Sequence, residues 1–174
     1  DKTEVLTALS ALSAPSGRFD YVRSARQVTG IVDYAHTPDA LKNVLNTIRD
    51  IRSGNERIIT VVGCGGDRDR AKRPVMAALA AQLSDKAILT SDNPRSENPE
   101  AILDEMMAGL TLEHKLHTIR ISDRAEAIQA ACMLAQPGDI ILVAGKGHET
   151  YQEIAGTRQH FDDKEQLLKN FESL

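Results

Sequence analysis

Arg57-Ile58-Ile59-Thr60-Val61-Val62-Gly63-Cys64-Gly65-Gly66 is the stretch whose reading decides the fold. A run dominated by β-branched side chains, with no polar alternation, reads as a strand buried on both faces, and the glycines after Val62 permit a tight turn. Beyond them Pro74 to Leu83, rich in alanine, reads as a helix. The same order repeats in both directions. Toward the C-terminus, Lys86 to Thr90 is a strand and Pro99 to Leu110, capped by Asn98, is a helix presenting Ile102, Leu103, Met106 and Met107. His117 to Ile121 is a strand, Asp123 to Ala135 a helix with Asp123 and Glu126 at capping-box spacing, Asp139 to Ala144 an apolar strand, and Asp163 to Phe171 a closing helix. Toward the N-terminus, Thr37-Pro38-Asp39 opens a helix whose stripe is Leu41, Val44, Leu45, Ile48 and Ile51. Before it stand two short strand-like runs, Phe19 to Val22 and Val28 to Val32, and a short amphipathic helix, Glu4 to Leu12, stopped by Pro15-Ser16-Gly17. Strands alternating with helices predict an α/β fold: an open, mostly parallel, Rossmann-like sheet with helices on both faces.

The chain has 174 residues, 41% hydrophobic and 26% charged, which suits a single globular domain and excludes a disordered or collagen-like polymer. Aromatic residues make up only 3%, with no Trp, so a stacking platform for single-stranded nucleic acid is not expected. A net charge of −4 argues against nucleic-acid partners and against a polybasic membrane contact. Cys64 and Cys132 form neither a C-x-x-C pair nor a zinc-spaced cluster, so no metal site is expected. No apolar run approaches the roughly 18 residues of a membrane span, and the N-terminus lacks the pattern of a signal peptide. A cytoplasmic monomer is the expectation. The absence of an initiator Met suggests a chain cut from something longer, with residues 1–16 the linker or tail of a preceding domain and 17–174 the domain itself.

In a sheet of this kind ligands bind at the carboxyl ends of the strands. Three loops there are unusual. Gly63-Cys64-Gly65-Gly66-Asp67-Arg68-Asp69-Arg70 combines close-approach glycines with forked donors for a carboxylate or phosphate, although a tight turn followed by solvated charges explains it equally well. It is not a G-x-G-x-x-G fingerprint, because Arg68 stands at the third glycine, and no P-loop occurs in the chain. Ser91-Asp92-Asn93-Pro94-Arg95-Ser96-Glu97-Asn98-Pro99 holds its backbone with prolines while Asp92, Asn93 and Arg95 offer groups complementary to an amino acid's two ends. Gly145-Lys146-Gly147-His148-Glu149 is the third. A fourth segment, Asp33-Tyr34-Ala35-His36-Thr37-Pro38-Asp39, places Asp33 and His36 between a strand and a helix, where they suit a ribose or base, while capping alone explains Thr37 to Asp39.

Taken in order and at this spacing from Arg18 onward, the four segments closely resemble the C-terminal domain of the Mur ligases, specifically the branch that adds the third stem-peptide residue in peptidoglycan synthesis. The resemblance implies an ATP-dependent ligase joining meso-diaminopimelate to UDP-MurNAc-L-Ala-D-Glu, because Asp92-Asn93-Pro94-Arg95 matches the tetrapeptide of the diaminopimelate-using enzymes. Carried over, Arg68, Asp92, Asn93, Pro94, Arg95, Gly145 and Glu149 hold that amino acid: the two arginines take carboxylates, and Asn93 and Glu149 an ammonium. Arg18, Asp33 and His36 are implied to lie near the nucleotide. ATP, Mg2+ and the UDP-sugar are implied to be bound mainly by two upstream domains, so that this chain presents the incoming amino acid, contains no catalytic residue and is inactive alone. Two other readings stand beside this one: a non-catalytic amino-acid-binding module, and a related ligase such as a lysine-adding enzyme or a folylpolyglutamate synthetase.

Overall fold

The computed structural model describes residues 17–173, so the expected helix at Glu4 to Leu12 and the 1–16 tail lie outside the described residues. Among the described residues there are eight strands: β1 (Asp20–Arg23), β2 (Thr29–Asp33), β3 (Ile58–Cys64), β4 (Lys86–Ser91), β5 (Thr118–Arg120), β6 (Ile140–Ala144), β7 (Tyr151–Ile154) and β8 (Thr157–His160). The helices are α1 (Pro38–Ile51), α2 (Lys72–Leu83), α3 (Pro99–Met107), α4 (Leu112–Lys115), α5 (Arg124–Leu134) and α6 (Asp163–Glu172). Six strands form one sheet in the order β1-β2-β6-β3-β4-β5, parallel except for the β1–β2 pair, and β7 and β8 form a separate hairpin.

Side-chain alternation along the strands explains why both faces are covered. Ile58 and Val62 of β3 and Leu142 and Ala144 of β6 face one core with Leu41, Leu45, Met76, Ala80 and Leu103 from α1, α2 and α3. Ile59, Val61, Ile141 and Val143 face the other, with Ala127 and Ile128 from α5 and Leu167 and Phe171 from α6. The expected caps form: Thr37 accepts from the Ala40 N–H, Asn98 from Glu100 and Asp123 from Glu126. Helix α2 starts at Lys72, ahead of the expected Pro74, because Asp69 accepts from the Ala71 N–H and turns the chain early. Helix α3 ends at Met107 rather than Leu110, and the expected Pro99–Leu110 segment is closed by Gly109. A side chain at Gly109 would collide with the Pro74 carbonyl oxygen 2.1 Å away.

Strand β6, late in the chain, lies between β2 and β3. The carboxyl ends of β2, β6, β3 and β4 therefore stand side by side, and the four unusual loops emerge from those four ends. No helix among the described residues is long and apolar enough to cross a membrane.

Candidate functional site

The loop after β3 and the loop after β4 are built into one another. The Gly66 N–H donates to Asn93 O at 2.9 Å, and any Cβ on Gly66 would lie 1.9 Å from Pro94 O, so only glycine allows this approach. Asp67 accepts from the Ser96 hydroxyl and N–H, and its own N–H donates to Glu97 at 2.6 Å. Arg73, fully buried on α2, donates to both Glu97 oxygens, to Glu105 and to Gly65 O. That fork and the Asp67 N–H hold the Glu97 carboxyl down at about 2, so it stays ionised and the clip stays closed.

Arg95 sits at φ +52°, a left-handed conformation uncommon for a branched or bulky residue. It is held there from both sides. Its N–H donates to Glu153 O at 3.0 Å, its carbonyl accepts from Ala155 at 2.8 Å, and its guanidinium donates to Gly66 O at 2.7 Å. The partners Glu153 and Ala155 belong to the β7–β8 hairpin, which also donates from Gln152 Nε2 to Asp92 O and from the Glu153 N–H to Asn93 Oδ1. The hairpin is thus the outer brace of the Asp92–Arg95 loop.

Between these loops opens a cavity of about 680 Å3, whose lining includes Arg68, Asp92, Asn93, Arg95, Gly145 and Glu149. Six of the seven residues expected to hold the amino acid therefore meet around one space. Pro94 does not line it; it is buried with its carbonyl against Gly66 and shapes the loop instead. Of the three expected nucleotide neighbours, His36 also lines the cavity, with Nδ1 bonded to Tyr34 O at 2.8 Å. Asp33 turns its oxygens to the Phe19 and Ala35 N–H groups, both at 2.8 Å, and fixes the chain beside β2 rather than facing the cavity. Arg18 is exposed and outside the lining, held near the third loop because Gly17 packs directly on Gly147 and His148.

Charge at the cavity wall is unevenly satisfied. Asp92 is buried beside Arg124 and Lys146, yet no described residue donates a hydrogen bond to its carboxylate, and burial pushes its pKa up in spite of both cations. The expectation for Asn93 needs correction. Its Oδ1 already accepts from Lys146 Nζ and the Glu153 N–H while its Nδ2 donates to Glu149 at 2.9 Å, so its acceptor is spent on the protein and it acts as a connector. Cys64 also lines the cavity, and burial raises its thiol to about 12, leaving it protonated and unreactive at neutral pH. The sequence places Lys146 in the third loop without a role and leaves Tyr151 and the hairpin unmarked; the signal for the hairpin was the Ala155-Gly156 pair at its turn, both at positive φ.

A family model for the Mur ligase, glutamate ligase domain, matches residues 17–147. The chain belongs to the Mur ligase family. It is 60% identical over 168 residues to the UDP-N-acetylmuramoyl-L-alanyl-D-glutamate–2,6-diaminopimelate ligase of Bacteroides thetaiotaomicron, covering 97% of this chain and 35% of that one. The enzyme of the same name from Cytophaga hutchinsonii is 61% identical over 94% of this chain and 34% of its own length. A solved structure bearing that ligase name superposes with a TM-score of 0.85 at 43% identity, over 97% of this chain and 34% of that one. The chain thus spans about a third of the length of the curated Mur ligases it matches. A separately solved domain of a Haemophilus ducreyi protein, titled a putative UDP-N-acetylmuramate:L-alanyl-gamma-D-glutamyl-medo-diaminopimelate ligase, shares the fold with a TM-score of 0.59 at 18% identity. That match takes in 90% of this chain and 98% of that domain, so the likeness is one of fold over nearly the whole of both.

Proposed function

We propose that this chain is the amino-acid-presenting domain of an ATP-dependent ligase that adds meso-diaminopimelate to UDP-MurNAc-L-Ala-D-Glu in the cytoplasm, with residues 1–16 the tail of the preceding domain. The observation that carries this reading is the convergence of Arg68, Arg95, Asp92 and Glu149 on one cavity. Two guanidiniums can each offer a fork to a carboxylate, and two carboxylates can accept from ammonium groups. Diaminopimelate has two of each. Lysine lacks the second carboxylate and would leave one arginine without its partner, a loss of a few kcal/mol. The relatives that share about 60% of the sequence carry the diaminopimelate name, which favours this substrate over lysine and over the folylpolyglutamate alternative.

ATP and Mg2+ are assigned to the rest of the ligase. No group of three His, Cys, Asp or Glu among the described residues could hold a metal ion, and the sequence has no P-loop, so no phosphoryl chemistry is placed on these residues. In the complete ligase ATP supplies the phosphoryl group that activates the acceptor's terminal carboxylate. What this domain contributes is position: Arg95 and Arg68 fix the amino acid by its carboxylates, and Asp92 and Glu149 hold an ammonium, so that the free amine meets the acyl carbon. The new C–N bond forms as the acyl–phosphate C–O bond breaks, releasing inorganic phosphate and a proton. His36, and Arg18 on the segment beside the third loop, are assigned to the nucleotide side.

The test is Arg95→Ala in the complete ligase. We expect the KM for diaminopimelate to rise about a hundredfold and the KM for ATP to stay within about twofold, the loss of a charged hydrogen-bond pair. Equal effects on both constants, or a wild type that prefers lysine, would overturn the assignment.

A further inference from the structure

Lys146 stands between the two glycines of the third loop with no exposed surface at all. A lysine so buried must find acceptors for its ammonium or be strongly destabilised as a cation. Here the acceptors come from three segments: Asn93 Oδ1 at 3.3 Å from the β4 loop, Glu149 Oε2 at 3.4 Å from its own loop, and the main-chain oxygen of Tyr151 at the start of the hairpin. The same Nζ lies 5.3 Å from the Tyr151 ring centroid.

Each partner has a second edge at the cavity. With Lys146 and the Glu153 N–H both donating to Oδ1, the Asn93 amide has one orientation only, and its Nδ2 must point at Glu149. Glu149 is thereby gripped by one oxygen, Oε2, from two donors, and no described residue donates to Oε1. Tyr151 also lines the cavity, and its carbonyl accepts from Lys146.

We propose that Lys146 is a positioning residue for the amino-acid pocket: an internal ammonium, sealed behind the wall, that orients Asn93 and Glu149 and anchors the hairpin, leaving Glu149 Oε1 and Asp92 as the acceptors offered to an incoming amino acid. This rests on the assignment of the cavity as the amino-acid site. Lys146 acts through Asn93, Glu149 and the hairpin, so its effect is confined to the amino acid and shrinks when Glu149 has no side-chain acceptor left to grip.

Lys146→Met keeps the length of the side chain and removes the charge. In the complete ligase we expect it to raise the KM for diaminopimelate about tenfold or more, with kcat and the KM for ATP within about twofold. In a Glu149→Ala background the same change should add clearly less than it does in the wild type, because coupled residues are not additive. Lys146→Gln, which retains two donors, should recover part of the loss and serves as the comparison if the Met variant folds poorly. Hydrogen exchange gives a readout apart from activity. In the Met variant of the complete ligase, the amides of Glu153 and Ala155 should exchange at least about tenfold faster while that of Val61 in β3 is unchanged. Equal KM rises for ATP and amino acid, full additivity with Glu149→Ala, or unchanged exchange at the hairpin would each overturn the role given to Lys146. A wild-type ligase that uses no diaminopimelate would overturn the pocket assignment and this inference with it; one that does, with Lys146→Met indistinguishable from it, would overturn the inference alone.

Discussion

Two buried aspartates, one at each end of the sheet, have opposite fates. At the amino end Asp139, just before β6, accepts from the Arg57 and Gln136 N–H groups and takes the Arg57 guanidinium in a fork, with contacts of 2.6 to 3.1 Å. Burial would raise its pKa, but these donors outweigh burial and lower it. At the carboxyl end Asp92, just after β4, is as buried, has Arg124 and Lys146 nearby, and receives no hydrogen bond at its carboxylate from any described residue; its pKa rises. The difference is not the number of neighbouring cations but where the donors point. Arg124 spends its donors on Asp163 and on the carbonyls of Ser91 and Ala144, the last residues of β4 and β6, and Lys146 spends its own on Asn93, Glu149 and Tyr151. A carboxylate whose oxygens are used up is part of the frame, whereas one surrounded by charge and left open to a cavity is available to a ligand.

The sharpest break of that contrast is at Arg124 itself. Its pairing with Asp163 is fully buried, with both contacts at 2.8 Å, and burial of the guanidinium is outweighed by that carboxylate. Asp163→Asn would leave an uncompensated cation in the interior and should lower the unfolding free energy by about 3–5 kcal/mol in urea denaturation. A loss under about 1 kcal/mol would mean that Asp92 can take over as the counter-ion, and the division between frame and site at this end of the sheet would fall.

Next in size is the exchange of the two aspartates for asparagine. Asp139→Asn should cost about 2 kcal/mol of stability and leave the KM for diaminopimelate unchanged, because its acceptors serve the frame alone. Asp92→Asn should cost no stability at neutral pH, and should raise that KM about tenfold or more. The pH dependence carries opposite signs. The lowered pKa of Asp139 makes a contribution that is present above the unfolded value of about 4 and is lost as pH falls through the folded one. The raised pKa of Asp92 does the reverse: wild type and Asp92→Asn should match at about pH 3, and the wild type should lose ground as pH rises above about 4 toward its folded value. Parallel stability curves for the two variants would show that the aspartates do the same job.

How far these roles could be read in the sequence depends on how local their causes are. Strands β3, β4 and β6, the caps at Thr37, Asn98 and Asp123, and the glycine-rich loops are local patterns, and they lie within a few residues of where periodicity and capping place them. The insertion of β6 between β2 and β3 is set by long-range pairing and leaves no local trace, yet it is what brings Gly145 and Glu149 to Asp92 and Arg95. The β7–β8 hairpin has strands of four residues each and an Ala-Gly turn in place of Asn-Gly, so its local signal is faint, and much of its stability comes from hydrogen bonds to a loop some 60 residues earlier. Lys146 is the extreme case. A lysine in a Gly-Lys-Gly turn reads as a solvated cation, and only the folded arrangement of Asn93, Glu149 and Tyr151 buries it.

The smallest effect returns to the amino end, at Glu56. This carboxylate lies in the turn between α1 and β3, where it accepts from the Ser53 hydroxyl and N–H and from the Gly54 N–H at 2.7 Å. Chiefly through the Ser53 hydroxyl, its pKa is lowered to about 2 although no cation among the described residues is paired with it. If hydrogen-bond donors rather than neighbouring charges decide which carboxylates belong to the frame, Glu56 should titrate near 2 by carbon-detected NMR, and salt should not move it. Glu56→Gln should cost about half a kcal/mol at neutral pH, because the loop is solvated and water replaces what is lost. The sign is that of Asp139: the wild-type advantage exists above about pH 4 and disappears as pH falls toward 2. A midpoint near 4 would mean that these donors are too loose to hold the ionised form, and the lowered value of Asp139 would then have to be credited to the charge of Arg57 alone.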